Sequence, residues 1–176
     1  MEKTLKSIAI NYGLYLGLIL SGATAIAYAV NVGLFANMWF GITLLIVIII
    51  MGIISVAKVK QAQNGYATFK EAFTAFFITS LIAIIISSAV SFLIFNVIDP
   101  DAADTLKEIT IEKTVEMLEK FNAPADSIAK SVEQIETQNQ FSILNVLKSL
   151  FFNLIFYIII GLIVAAAMKK SKPETE

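Results

Sequence analysis

The sequence predicts an all-α polytopic membrane protein: four transmembrane helices, with an extracytoplasmic helical hairpin between helices three and four. Three observations predict it. Four long runs contain no Asp, Glu or Lys, lysines collect beside only some ends of those runs, and the one long polar link shows two successive helical patterns. The composition agrees, at 57% hydrophobic and 15% charged, where a soluble domain is roughly a quarter charged.

The four runs are 8–30, 39–57, 73–95 and 150–168. Each has about the 20 residues that carry a helix across ~30 Å of hydrocarbon. Only a helix satisfies every backbone N–H and C=O within one such segment. A soluble helix would show a polar face, and residues 42–54 offer none. The chain therefore divides into 1–98, holding helices one to three with a short cytoplasmic link at 58–72; 99–141, the extracytoplasmic amphipathic pair; and 142–176, the fourth helix and a lysine tail.

Lysine placement orients the runs. Lys3 and Lys6 precede the first, Lys58, Lys60 and Lys70 lie between the second and third, and Lys169, Lys170 and Lys172 follow the fourth. The link from 31 to 38 has no charge, and 96–149 sets five lysines against ten acids. Both termini are thus expected in the cytoplasm and 96–149 outside it. Trp39 and Tyr28 then fall at the outer interface, and Tyr12 and Tyr66 near the inner one. A cleavable signal peptide is the competing reading of the first run, with Ala25-Ile26-Ala27 as the cleavage site. The run is about 23 residues, longer than a 7–15-residue signal core, which favours an uncleaved helix.

Membrane helices associate through small residues and occasional polar bonds. On the first helix Gly13, Gly17, Ser21, Ala25 and Ala29 recur every fourth residue; on the third, Ala75, Thr79, Ala83, Ser87 and Ser91; on the fourth, Asn153, Tyr157, Gly161 and Ala165. The second is Ile-rich all round apart from Gly41, Thr43 and Gly52, and is expected to be the most lipid-exposed. Two readings of the stripes stand: packing inside one bundle, with Asn153 bonding across helices, or a homo-oligomer interface or polar-lined path. No span contains a proline or an ionisable acid or base, which weighs against ion-coupled transport.

In the inner link Asn64-Gly65 marks a turn, and Thr68-Phe69-Lys70-Glu71 reads as a capping box that starts the third helix near Phe69. In the outer link, Asp101 or Asp104 can cap a helix reaching about Phe121, whose Leu106, Ile109, Ile111, Val115 and Leu118 recur at helical spacing. Asn122 suits its C-terminal cap, Pro124 the first turn of a second helix, and Ile128, Val132 and Ile135 the apolar face of that helix. The pair can pack face to face, lie on the bundle or rest on headgroups, and its net acidity disfavours the last. Asp99, Asp101 and Asp104 invite a calcium site, but the further acids and glycine turn of a calcium loop are missing, and acids at a helix start are ordinary. Lys148-Ser149 could be a hydrolytic dyad, yet nothing positions it, and Lys148 suits a snorkelling anchor.

Chemistry is sparsely provided. There is no cysteine, no histidine and no arginine, which removes thiolates, the commonest general base and the bidentate anion fork. No catalytic, cofactor or metal residue is assigned, and no basic stripe exists to track nucleic acid. The expected partners are the lipid bilayer, a protein at the extracytoplasmic pair, and a second copy of the chain.

Three stretches carry a resemblance: residues 6–19 (KSIAINYGLYLGLI), 64–73 (NGYATFKEAF), and 117–135 with the closing helix and Lys169-Lys170. Together they resemble the multi-pass bacterial membrane proteins called domain of unknown function 4199. The resemblance spans nearly the whole chain through short structural motifs. It implies a Bacteroidetes inner-membrane setting with the long link in the periplasm, and brings no catalytic residue with it. The expected function is that of a non-enzymatic structural or interaction component; the alternative is a small transporter or channel component.

Overall fold

A computed structural model describes the backbone of residues 2–171 and the side chains of 4–171. The side chain of Lys3, and Lys172, both used above for orientation, lie outside that range. Six α-helices run in order: α1 Glu2–Val30, α2 Met38–Ala62, α3 Phe69–Leu93, α4 Pro100–Lys120, α5 Ala125–Thr137 and α6 Ile143–Met168. A 3₁₀ turn, Val32–Ala36, joins α1 to α2, and a π-helical turn, Ile94–Ile98, ends α3. Four helices are long and apolar enough to cross a membrane: α1, α2, α3 with its π turn, and α6. The described residues are all-helical, and four such apolar helices are consistent with a multi-pass membrane protein.

The third span is the hub. α1, α2 and α6 all pack on α3, while the backbones of α1 and α6 make no close approach to each other. Phe76 of α3 is fully buried. A Cβ placed on Gly52 would lie 2.5 Å from its ring, and one on Gly161 would lie 3.0 Å from it. Two helices thus offer bare backbone to one aromatic knob, the close approach that small residues permit in lipid. α1 meets α3 the same way: a Cβ at Gly13 would lie 2.9 Å from Ile82 Cβ, and one at Gly17 2.8 Å from Ile86 Cδ1.

Among the described residues, one hydrogen-bonded node links three helices in this interior. Thr79 Oγ1 donates either to Ala9 O at 3.1 Å or to Ser55 Oγ at 2.8 Å, and accepts when the Ser55 hydroxyl donates. It ties α1, α2 and α3 together. Thr79→Val keeps the volume and removes these bonds; the expected cost is about 1 kcal/mol, the scale of interhelical bonds in membranes, read from reversible SDS unfolding.

The two ends of the bundle differ. At the end holding the 58–72 link, Ala67 and Lys170 exchange backbone bonds of 3.0 and 2.8 Å. Lys60 Nζ donates to Met168 O at 3.0 Å, and Lys170 sits 5.4 Å from the Tyr66 ring centroid. α6 is clasped there. Thr68 opens α3: its Oγ1 accepts from Glu71 N at 3.3 Å, while Glu71 Oε2 accepts from Thr68 N at 2.8 Å. At the opposite end Ile94, Phe95, Ala102 and Leu106 form a small buried cluster beneath α4.

Several expectations are corrected. Ala25 and Ala29 are exposed, and the buried face of α1 passes through Ala9, Gly13, Leu16, Gly17, Leu20, Thr24 and Ala27. A strict four-residue repeat drifts around a helix of 3.6 residues per turn, so a stripe that starts inside ends outside. Asn153 is exposed for the same reason, and it makes no hydrogen bond among the described residues. α2 buries Ile48, Gly52, Ser55, Val56 and Val59, so it is no more lipid-exposed than α6. The cap of α4 is Asp99, neither Asp101 nor Asp104: its carboxylate accepts from Ala102 N at 3.0 Å. Pro100 takes the first helical position, where its missing N–H costs nothing, and this places the cap one residue before it.

Candidate functional site

One group of polar side chains gathers at the end opposite the clasp. α3 and α6 part there, leaving a cleft of about 510 Å³. Ser87, Ser88 and Ser91 form one wall, Asn145, Ser149 and Phe152 the other, and Gln138 and Gln140 stand at the mouth. The cause is local. Below, Tyr157 and Gly161 let α6 lie close to α3. Above, the chain must reach α6 from α5 through residues 138–142, and Phe141 wedges against the bundle, its ring stacked 4.2 Å from Phe95.

The π turn aims this wedge. One extra residue per turn at the end of α3 closes with Asp99 N donating to Ile94 O at 2.8 Å; such turns often mark sites where a side chain has been re-directed. Asn96 here points its amide at Phe92 O, 3.2 Å, and Phe141 O, 2.9 Å, so it pins the loop that roofs the cleft. A second cavity, about 230 Å³, lies on the other side of Phe141, beside Asn96, Asp104 and Lys107.

The cleft hydroxyls differ from many helical hydroxyls of the chain. Thr24, Thr43, Thr110, Thr114 and Ser131 bond back to the carbonyl four residues earlier, the usual resort of a helical hydroxyl without a better partner. Among the described residues, Ser87, Ser88, Ser91 and Ser149 make no hydrogen bond. Their hydroxyls are open to whatever fills the cleft.

Asp99 joins the cleft end to the rest. Tyr28 of α1 donates its hydroxyl to Asp99 Oδ2 at 2.8 Å, while Oδ1 caps α4. One carboxylate therefore fixes α4 and ties it to the top of α1. Asp99→Ala is expected to cost about 1 kcal/mol as a lost cap and to speed amide exchange at Ala102. Tyr28→Phe keeps the cap, so it is expected to leave that amide nearly as protected.

The residues singled out in the sequence separate into groups. Gly13, Gly17 and Ser21 lie along α1; the first two meet α3, and Ser21 Oγ is buried without a partner. Ala83 is buried beside Leu16 and Tyr157. Ser87 and Ser91 line the cleft, Asn153 and Ala25 face outward, and Gly161 holds Phe76. Thr68 and Glu71 cap α3 at the far end. Lys148 and Ser149 both border the cleft, without a hydrogen bond between them. Asp99, Asp101 and Asp104 stay apart; among the described residues no three His, Cys, Asp or Glu side chains gather as a metal site. Sequence reasoning missed Ser55 and Phe76. A hydroxyl three residues after Gly52 was the available signal for the first.

Comparison with curated proteins and with solved structures finds no match. Residues 11–170 match the family model described as a protein of unknown function, DUF4199, and since that match runs nearly end to end, the chain belongs to this family.

Proposed function

We propose that this chain is a non-enzymatic interaction component of the bacterial inner membrane, with both termini cytoplasmic and 96–149 largely periplasmic. Its recognition element is the extracytoplasmic hairpin α4–α5. One observation carries the reading: α5 touches α4 and no other helix, and none of its residues is fully buried. α4 is seated on the bundle by Leu106 and Asp99, so it works as a mount and α5 as the part displayed. The orientation is supported by the clasped end, where Lys60 and Lys170 lie with Tyr66, and by the acidic character of the other.

Deleting residues 106–135 tests the reading. Crosslinking in cells followed by mass spectrometry is expected to lose the specific neighbours of the intact protein. Survival of all of them in the deletion would sink it.

The cleft favours a second reading, a small transporter or channel component, acting as a homo-oligomer that closes the open side between α3 and α6. Liposomes bearing the purified protein, screened for ion and small-solute flux, decide it. No flux at any oligomeric state removes that reading. The filled interior around Phe76 and Thr79 makes it the weaker of the two.

A further inference from the structure

α4 carries three chemically different faces. Ala102 and Leu106 are buried at its start. Steps of three and four from Leu106 pass through Thr110, Thr114, Met117 and Phe121, so the face that closes the bundle continues down the helix. Lys107, Ile111, Val115 and Leu118 share a second face, turned to α5, where Lys107 Nζ donates to Glu136 O at 3.0 Å. Glu108, Glu112 and Glu119 fall on the third, away from both. Lys113 and Lys120 flank Met117 on the first face, and Glu116 stands at its edge.

Among the described residues, the far half of that first face is left largely open, with the start of α2 at its border. Phe121 is 79% exposed and Met117 44%, and Met38 at the start of α2 is 69% exposed. Met38 borders one shallow groove together with Thr110, Lys113, Glu116, Met117 and Lys120. Phe121 lies about 22 Å beyond Leu106 at 1.5 Å per residue, roughly twice the width of a helix. The far half of α4 therefore runs past the flank of α2 at the level where that span begins. Trp39, one residue on, is also exposed, as an interfacial anchor would be.

We propose that this underside rests on the phosphate-bearing headgroups of the leaflet that α2 enters. Lys113 and Lys120 meet phosphate oxygens, while Met117 and Phe121 dip to the acyl boundary, the arrangement of an interfacial amphipathic helix. The segment's net acidity, which by itself predicts repulsion, is turned mostly elsewhere: Glu108, Glu112 and Glu119 point the other way, and Glu116 is the one acid in the groove, beside two lysines. The contact is the same whichever side of the membrane the hairpin occupies, so it stands apart from the topology proposed above.

The chain has no cysteine, so single nitroxide labels can be placed without a background. In full-length protein held one copy per nanodisc of phosphatidylethanolamine and phosphatidylglycerol, labels at Met117→Cys and Phe121→Cys are expected to favour oxygen over a water-soluble nickel chelate. Labels at Glu112→Cys and Glu119→Cys are expected to favour the chelate. Adding Lys113→Glu and Lys120→Glu to the Met117→Cys chain is expected to shift its label toward the chelate. Water-like readings on both faces, or no shift in the lysine variant, overturn the proposal. Protection that appears only with two copies per disc makes the occupant a second chain, and overturns it too.

Discussion

Gly13→Leu is expected to pry α1 from α3 and destabilise the bundle by about 3 kcal/mol, the upper range for overpacking. The obstacle is rigid. A Cβ at Gly13 lies 2.9 Å from Ile82 Cβ and 3.1 Å from Thr79 O, and neither atom is the free end of a side chain. Moving α1 outward also stretches the Thr79–Ala9 bond. Gly22→Leu is the control on the same helix, because nothing lies within 4 Å of its Cβ position; it is expected to be near neutral. Gly17→Ala falls between, since Ile86 Cδ1 at 2.8 Å can turn aside while Ile86 Cβ at 3.1 Å cannot. SDS-titrated unfolding in mixed micelles, followed by circular dichroism, ranks the three. Equal losses at Gly13 and Gly22 would mean that α1 does not pack as described.

Phe76→Ala is the second large effect. It empties the space between the Gly52 and Gly161 backbones and is expected to cost about 3 kcal/mol, the low end for a core phenylalanine. The low end applies because the separated helices keep the ring in lipid, so contacts are lost but little transfer energy. The pair Phe76→Ala with Gly52→Ala gives a sharper test. Gly52→Ala alone forces a methyl to within 2.5 Å of the ring, while in the Phe76→Ala background the same methyl fills part of the hole. The double variant is therefore expected to be more stable than the sum of the single losses. Additive losses would show that ring and glycine do not meet.

The spans were legible because hydrocarbon imposes its requirement residue by residue: twenty apolar side chains and no charge leave one solution. The start of α3 was equally plain, since a capping box is a local device. The interior was only half legible. Gly13, Gly17 and Gly161 announce close approach, but a glycine does not say what approaches it. That the answer at Gly161 is Phe76, shared with Gly52, depends on three helices at once. Ala25, Ala29 and Asn153 were misplaced by a four-residue ruler laid on a 3.6-residue helix. The cleft was the least legible part. Its serines look like any packing stripe, and only the π turn and the Phe141 wedge, which no sequence pattern announced, hold α3 and α6 apart beside them.

Aromatic anchoring explains why the cluster beneath α4 can persist although it is small. Phe95 stacks on Phe141 at 4.2 Å and meets Phe35 edge-on at 5.4 Å and Tyr28 at 6.3 Å. Each such pair adds ~1 kcal/mol beyond burial, and together they join α1, the 3₁₀ turn, α3 and the loop before α6. The cleft roof and the seat of α4 thus share one ring, so a change at Phe95 is transmitted to both.

The central claim is that the chain crosses the membrane four times, with α4–α5 on the side opposite the 58–72 link. Single cysteines at Asn64→Cys and Lys130→Cys, probed with a membrane-impermeant maleimide on spheroplasts, test it most directly. The account predicts that Lys130→Cys is labelled at once and Asn64→Cys only after the membrane is opened. Labelling of both positions in intact spheroplasts, or the reverse order, would contradict it.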